Sequence, residues 1–173
     1  IRRLPVLHDG SVVRDGVAPT GYGSLAAGID VNVNGNDLSG NSLFALRSGA
    51  AGEMIDASSN WWGTNTPAGV AAETTPNVDY TPWVDLGTED PTMGAAAGFQ
   101  GNFSALHVDD NSPQVGVIGR ITEGIAAIAN GSLVGGARIL FVHSTTGVAT
   151  YAENVDVNKA LTFNPGDSPG IVN

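Results

Sequence analysis

The chain contains no cysteine and only one lysine, Lys159, among its 173 residues. Without cysteine there is no disulfide, no thiol nucleophile and no cysteine-held zinc. Positive charge is scarce: 7 Lys and Arg stand against 17 Asp and Glu, a formal net charge of −10. A surface this acidic cannot neutralise phosphates, which argues against nucleic-acid binding. No apolar run approaches the roughly 18–20 residues that span a bilayer, so no membrane insertion is expected. The opening Ile1-Arg2-Arg3-Leu4-Pro5 has neither a start methionine nor an apolar signal stretch. It reads as the start of a mature form, a fragment or one module of something longer. Lys and Glu, which normally fill exposed helix faces, are few, so helices should be few as well.

What is abundant points to turns and short strands. There are 24 glycines, with many Ala, Val, Asn and Asp, and 42% of residues are hydrophobic, enough to bury a core. Asn36-Asp37-Leu38-Ser39-Gly40-Asn41 is echoed by Asn60-Trp61-Trp62-Gly63-Thr64-Asn65, 24 residues on (60 − 36). Alternation such as Ile29-Asp30-Val31-Asn32-Val33 between Asn/Gly corners suits stacked rungs, each buried only by its neighbours. A β-sandwich with turns at similar spacing is the alternative. Residues 87–98, Gly/Ala-rich and without apolar periodicity, read as a linker between regions 1–86 and 99–173. In the second region Ile121, Ile125 and Ile128 form one apolar stripe over Arg120–Ala129, predicting a helix stopped at Asn130-Gly131. Strands are predicted at 138–142, 151–157 and 160–163, with Leu140 and Leu161 one rung apart.

Asn60-Trp61-Trp62-Gly63 followed by Val78-Asp79-Tyr80-Thr81-Pro82-Trp83 resembles the closing rungs of right-handed parallel β-helix proteins of the pectin-lyase-like group. Tyr151 to Thr162, after the helix, is similar to the first rung of such a coil, and Phe99 to Gln114 resembles connectors between modules of large bacterial surface proteins. The resemblance implies an all-β fold: right-handed parallel β-helix (β-solenoid) segments with one short capping α-helix. Residues 1–86 would be the last rungs and closing cap of one coil. Residues 99–173 would be the connector, capping helix and first rung or rungs of the next. Such open ends suit either a fragment of a multi-module protein or a head-to-tail filament, since a heterologous contact propagates.

Candidate chemistry is sparse. Trp61, Trp62 and Trp83 could offer sugar rings a platform, or simply close the end of the coil. Asp109, Asp110 and Asn111 are calcium candidates, because Ca²⁺ takes carboxylate and carbonyl oxygens, but their spacing is not that of an EF-hand and a solvated turn explains them too. A glycosidase needs two carboxylates across one groove, and no Gly-His-Gly signature of the family's hydrolases is present. His8, His107 and His143 lie in no metal or triad pattern and read as structural. Arg47 and Asp56 suggest a surface ion pair. Gly21-Tyr22-Gly23-Ser24 lacks the lysine of a phosphate loop. No catalytic residue and no cofactor are assigned.

The expected function is a non-catalytic extracellular or cell-surface module, bacterial by the resemblance. It would stack head-to-tail with copies of itself or adjacent modules. The alternatives are a fragment of a polysaccharide lyase or hydrolase and a glycan-binding adhesin, with polysaccharide as partner.

Overall fold

The computed structural model describes residues 31–48, 53–90, 98–129, 138–144 and 149–166. Its first half is a parallel stack of very short strands: β1 (Val31–Asn32), β2 (Ile55–Asp56) and β3 (Val78–Asp79). Val31 pairs with Ile55 and Ile55 with Val78, so the chain advances 24 (55 − 31) and then 23 (78 − 55) residues per layer. The echo in the sequence is this step. Asn36 and Asn60 sit at the same corner, and Asn60 is fully buried. Its Oδ1 accepts from the Asn36 backbone N–H at 2.8 Å and side-chain amide at 3.2 Å, while its Nδ2 donates to the carbonyls of Val33 and Ala57. A buried amide is stable only with such partners. Between β2 and β3 lies the six-residue helix α1 (Pro67–Ala72). Thr66 caps it by accepting from the Gly69 N–H at 3.2 Å, Pro67 takes a position where no N–H is needed, and Pro67 and Val70 are buried.

The second half is a four-stranded sheet ordered β4 (Trp83–Val84), β7 (Ala105–Asp109), β8 (Ile139–His143), β9 (Thr162–Asn164). β7, β8 and β9 are parallel, but β4 runs antiparallel to β7, pairing Trp83 with His107. β5 (Gly87–Asp90) and β6 (Gly98–Gly101) form a separate antiparallel pair. Helix α2 (Arg120–Ala127) packs over β7 and β8.

These sheets correct the expectation of an all-β, right-handed parallel β-helix with one capping helix. Parallel stacking occurs, but among the described residues the larger sheet is mixed, two helices are present and no solenoid is found. The physical reason lies at β4. Trp83 and Val84 are both fully buried, and the edge expected to close a coil is instead covered by β7 of the same chain, all five of whose residues are buried. An unpaired apolar edge is costly, and the second region covers it. The outer parts of the 87–98 linker also take up strand: Gly87 pairs with Gly101 and Asp90 with Gly98. A Cβ on either Gly87 or Gly101 would meet the Phe99 ring, at 2.5 Å in both cases, so this cross-strand glycine pair makes room for the aromatic.

Two apolar clusters result. One gathers Val33, Leu38, Leu46, Ile55, Trp62, Val70, Val78 and Tyr80 with Trp83. The other gathers Val84, Leu106, Val108, Ile125, Ile128 and Leu140. The isoleucine stripe is thus the buried face of α2, with Ile121 partly buried against the same cluster. Gly124, which breaks the stripe in sequence, lets α2 approach the sheet: a Cβ there would lie 2.8 Å from Leu140 Cδ1 and 3.1 Å from Val108 Cγ1. Two strand expectations need correction. Tyr151–Val157 forms no strand, and Leu140 pairs with Phe163 rather than Leu161, a step of 23 residues (163 − 140). Residues 130–131, the expected helix stop, lie outside the described residues.

Candidate functional site

Three polar arrangements stand out where the halves meet and at the far end of the second sheet. The first is a seam. Asp79 at the end of β3 is buried, and burial raises its pKa against the lowering effect of the hydrogen bonds it accepts. Its Oδ2 accepts from Val115 N–H at 2.6 Å and Gln114 Nε2 at 3.4 Å; its Oδ1 accepts from Ser112 Oγ and the Thr81 N–H and hydroxyl. The next residue, Tyr80, donates from its hydroxyl to Asp109 Oδ2 at 2.8 Å. Burial first, then the Asp109 charge, pushes the Tyr80 pKa well up, so this phenol stays a donor. Arg120 at the start of α2 donates to the Ser112 carbonyl. Gln114 Nε2 also reaches Glu123 Oε2 at 3.0 Å. Burial lifts the Glu123 carboxyl to about 7.

The second is a buried imidazole chain. His107 Nδ1 faces His143 Nε2 at 2.8 Å, and His107 Nε2 faces Asp85 Oδ1 at 3.0 Å. Parallel pairing of β7 and β8 brings the two histidines together, although 36 residues separate them. Trp83 stacks on both rings, with centroids 5.2 and 5.6 Å away, and Phe141 stacks on His107 at 4.5 Å. The rings form part of an aromatic column, with both imidazoles almost wholly shielded from solvent. A Cβ on Gly166 would collide with His143 Nδ1, so the backbone closes over that end.

The third is an end layer. Residues 151–160 run alongside α2 as a strap, and its charges sit where the helix dipole favours them. Gly119 caps α2 without a side chain; instead Glu153 accepts from the Ile121 N–H at 2.9 Å, the Thr122 N–H at 3.0 Å and the Thr122 hydroxyl at 2.8 Å. Lys159 donates to the Ala126 and Ile128 carbonyls at 3.0 and 2.8 Å. Tyr151 adds hydroxyl contacts to the Val108 and His143 carbonyls. Between these supports Val155 and Val157 face outward, and Phe163 on β9 is 43% exposed. An open cleft of about 520 Å³ beside the strap is lined by Gln114, residues 116–119, Thr122 and residues 152–154. The one carboxylate in its wall, Glu153, is already engaged by α2.

The residues singled out from sequence are scattered. Asp109 is fully buried, with Oδ2 taken by Tyr80; Asp110 Oδ2 accepts from the Thr150 N–H at 2.7 Å; Asn111 is exposed. Among the described residues no group of three or more His, Asp or Glu is placed to hold a metal ion. Trp62 and Trp83 are buried in the first cluster and Trp61 packs on the second, so the three rings make no shared exposed platform. Arg47 lies over the Phe44 ring, 5.3 Å from its centroid. His8 and residues 21–24 lie outside the described residues. Sequence reasoning missed the seam, the imidazole chain and the strap. Each is tied together by contacts that span more than 20 residues of sequence. The one available signal for the strap was the solitary lysine.

Among the described residues no helix is long and apolar enough to cross a membrane. Comparison with known proteins finds no matching family model, no similar curated protein and no similar solved structure.

Proposed function

We propose that the chain is a non-catalytic extracellular structural module that assembles by adding the strands of a second copy to its end layer. The observation that carries this reading is the step into β9. Ile139 to Thr162 is 23 residues (162 − 139), the same advance as Ile55 to Val78, and it leaves Phe163, Val155 and Val157 exposed on the last layer of the described residues. A strand arriving at the same step buries apolar surface and supplies backbone partners to β9. The occupant is a copy of this chain because the step is the chain's own. The absence of a carboxylate pair across the cleft and the burial of Trp62 and Trp83 weigh against a glycosidase or a sugar platform.

With a net charge of −10, copies repel at low salt, and screening should favour association. Light scattering across protein concentration should show assemblies that grow between low salt and about 0.15 M salt, where the Debye length is about 8 Å. Phe163→Asp should abolish this growth while leaving the thermal melt unchanged. A monodisperse monomer at high protein concentration in both salts overturns the reading.

A further inference from the structure

The seam holds two carboxyl groups on one amide. Gln114 Nε2 lies 3.0 Å from Glu123 Oε2 and 3.4 Å from Asp79 Oδ2, and also donates to the Val115 carbonyl at 3.2 Å. Gln114 Oε1 is buried and makes no hydrogen bond. A protonated carboxyl can pair with an amide in both directions, the amide N–H donating to one acid oxygen and the acid O–H donating to the amide oxygen. An ionised Glu123 has no proton to give and leaves that acceptor bare.

The surroundings divide the two acids into different roles. Asp79 accepts from five donors on Thr81, Ser112, Gln114 and Val115, an acceptor-only pattern that suits the ionised form. Burial is the largest influence opposing the ionisation of Glu123, joined by Asp79 from β3 and Asp56 from β2, whereas the N–H donated by Gln114 and, one turn earlier on α2, the Arg120 charge favour it. Two acids in unlike settings titrate apart.

We propose that the Asp79–Gln114–Glu123 bridge is a pH-sensitive latch, which fastens α2 and the 112–119 connector to the end of β3 while Glu123 keeps its proton and loosens when Glu123 ionises. The seam is where such a change acts between both halves, since Val115 and Ser112 reach Asp79 across 36 and 33 residues. The latch is independent of assembly through β9.

The pH window follows from the carboxyl itself. Its value rises from 4.5 in an ordinary setting to about 7 here, so its contribution is full below about 4.5 and is lost as pH climbs through about 7. Hydrogen exchange at the Val115 amide, corrected for intrinsic rate, reads the latch directly, and thermal melting reads its global effect. Between pH 5 and pH 8 the wild type should lose Val115 protection about tenfold and melt roughly 5 °C lower. Glu123→Gln keeps the neutral amide-like shape and should flatten both changes to less than half. Should that variant fail to fold, Asp56→Asn removes one facing charge and should move the wild-type midpoint to lower pH. Val115 protection that is flat or rising with pH in the wild type overturns the latch. So does the full wild-type slope in Glu123→Gln, or an unmoved midpoint in Asp56→Asn.

Discussion

The first parallel stack and the second sheet solve the same problem with different means. Both lay short parallel strands over an apolar cluster and each carries one helix among the described residues, but the first advances 24 and then 23 residues per layer, whereas the second advances 34 (139 − 105) and then 23 (162 − 139). In the first, the ties come from repeated or adjacent positions: Asn60 meets Asn36 one step below, and Thr66 caps the helix it precedes. In the second, helix α2 is held at both ends by a strap about 30 residues away, and the strand at its centre, β7, buries a histidine and an aspartate. Repetition makes a stack legible, whereas long-range charged ties are expected to make it respond to pH and salt. The two are joined at Trp83, which belongs to the first cluster and stacks on the histidines of the second sheet.

Trp83→Ala should have the largest effect, since it removes that joint. A loss of about 3–5 kcal/mol is expected for a fully buried Trp. Chemical denaturation should show one wild-type transition and two in the variant; two transitions in the wild type would mean that the halves are independent already. Asn60→Ala should cost about 1–3 kcal/mol, because it takes the side-chain partner from the Val33 and Ala57 carbonyls and the Asn36 amide. Hydrogen exchange should localise the damage to β1 and β2; equal loss of protection in β8 would break the contrast between repeated and long-range ties. Lys159→Ala should have the smallest effect, about 0.3–1 kcal/mol, fading as salt rises. A salt-independent loss in urea titrations would place the lysine's role in the packing of its alkyl chain instead.

Much of the first stack was readable in advance because it repeats. Asn36 and Asn60 share a corner, and the spacing between them is the stacking step. The stripe Ile121, Ile125, Ile128 likewise predicted helix α2, because a 3.6-residue period needs no distant partner to be seen. The direction of β4 was not readable. A two-residue apolar strand pairs equally well with a parallel or an antiparallel neighbour, and the choice of β7 depends on residues 105–109 returning to cover Trp83 and Val84. The alternation sought at 151–157 also misled, since Tyr151, Glu153 and Lys159 are committed to the sheet and helix ends rather than to a ladder.

Composition and local spacing by themselves determined what the chain is poor at and where its corners lie. Seven basic residues against 17 acidic ones argue against nucleic acid, the absence of cysteine removes disulfides, and Asn at a 24-residue offset sets the stacking step. Only the tertiary structure decided that Asp79, Gln114 and Glu123 share one part-buried bridge, that His107 and His143 touch, and that the one lysine closes a helix. The reason is range. Propensities and periods are written within a few residues, whereas burial of a charge and the direction of a strand depend on which distant segment arrives to cover it.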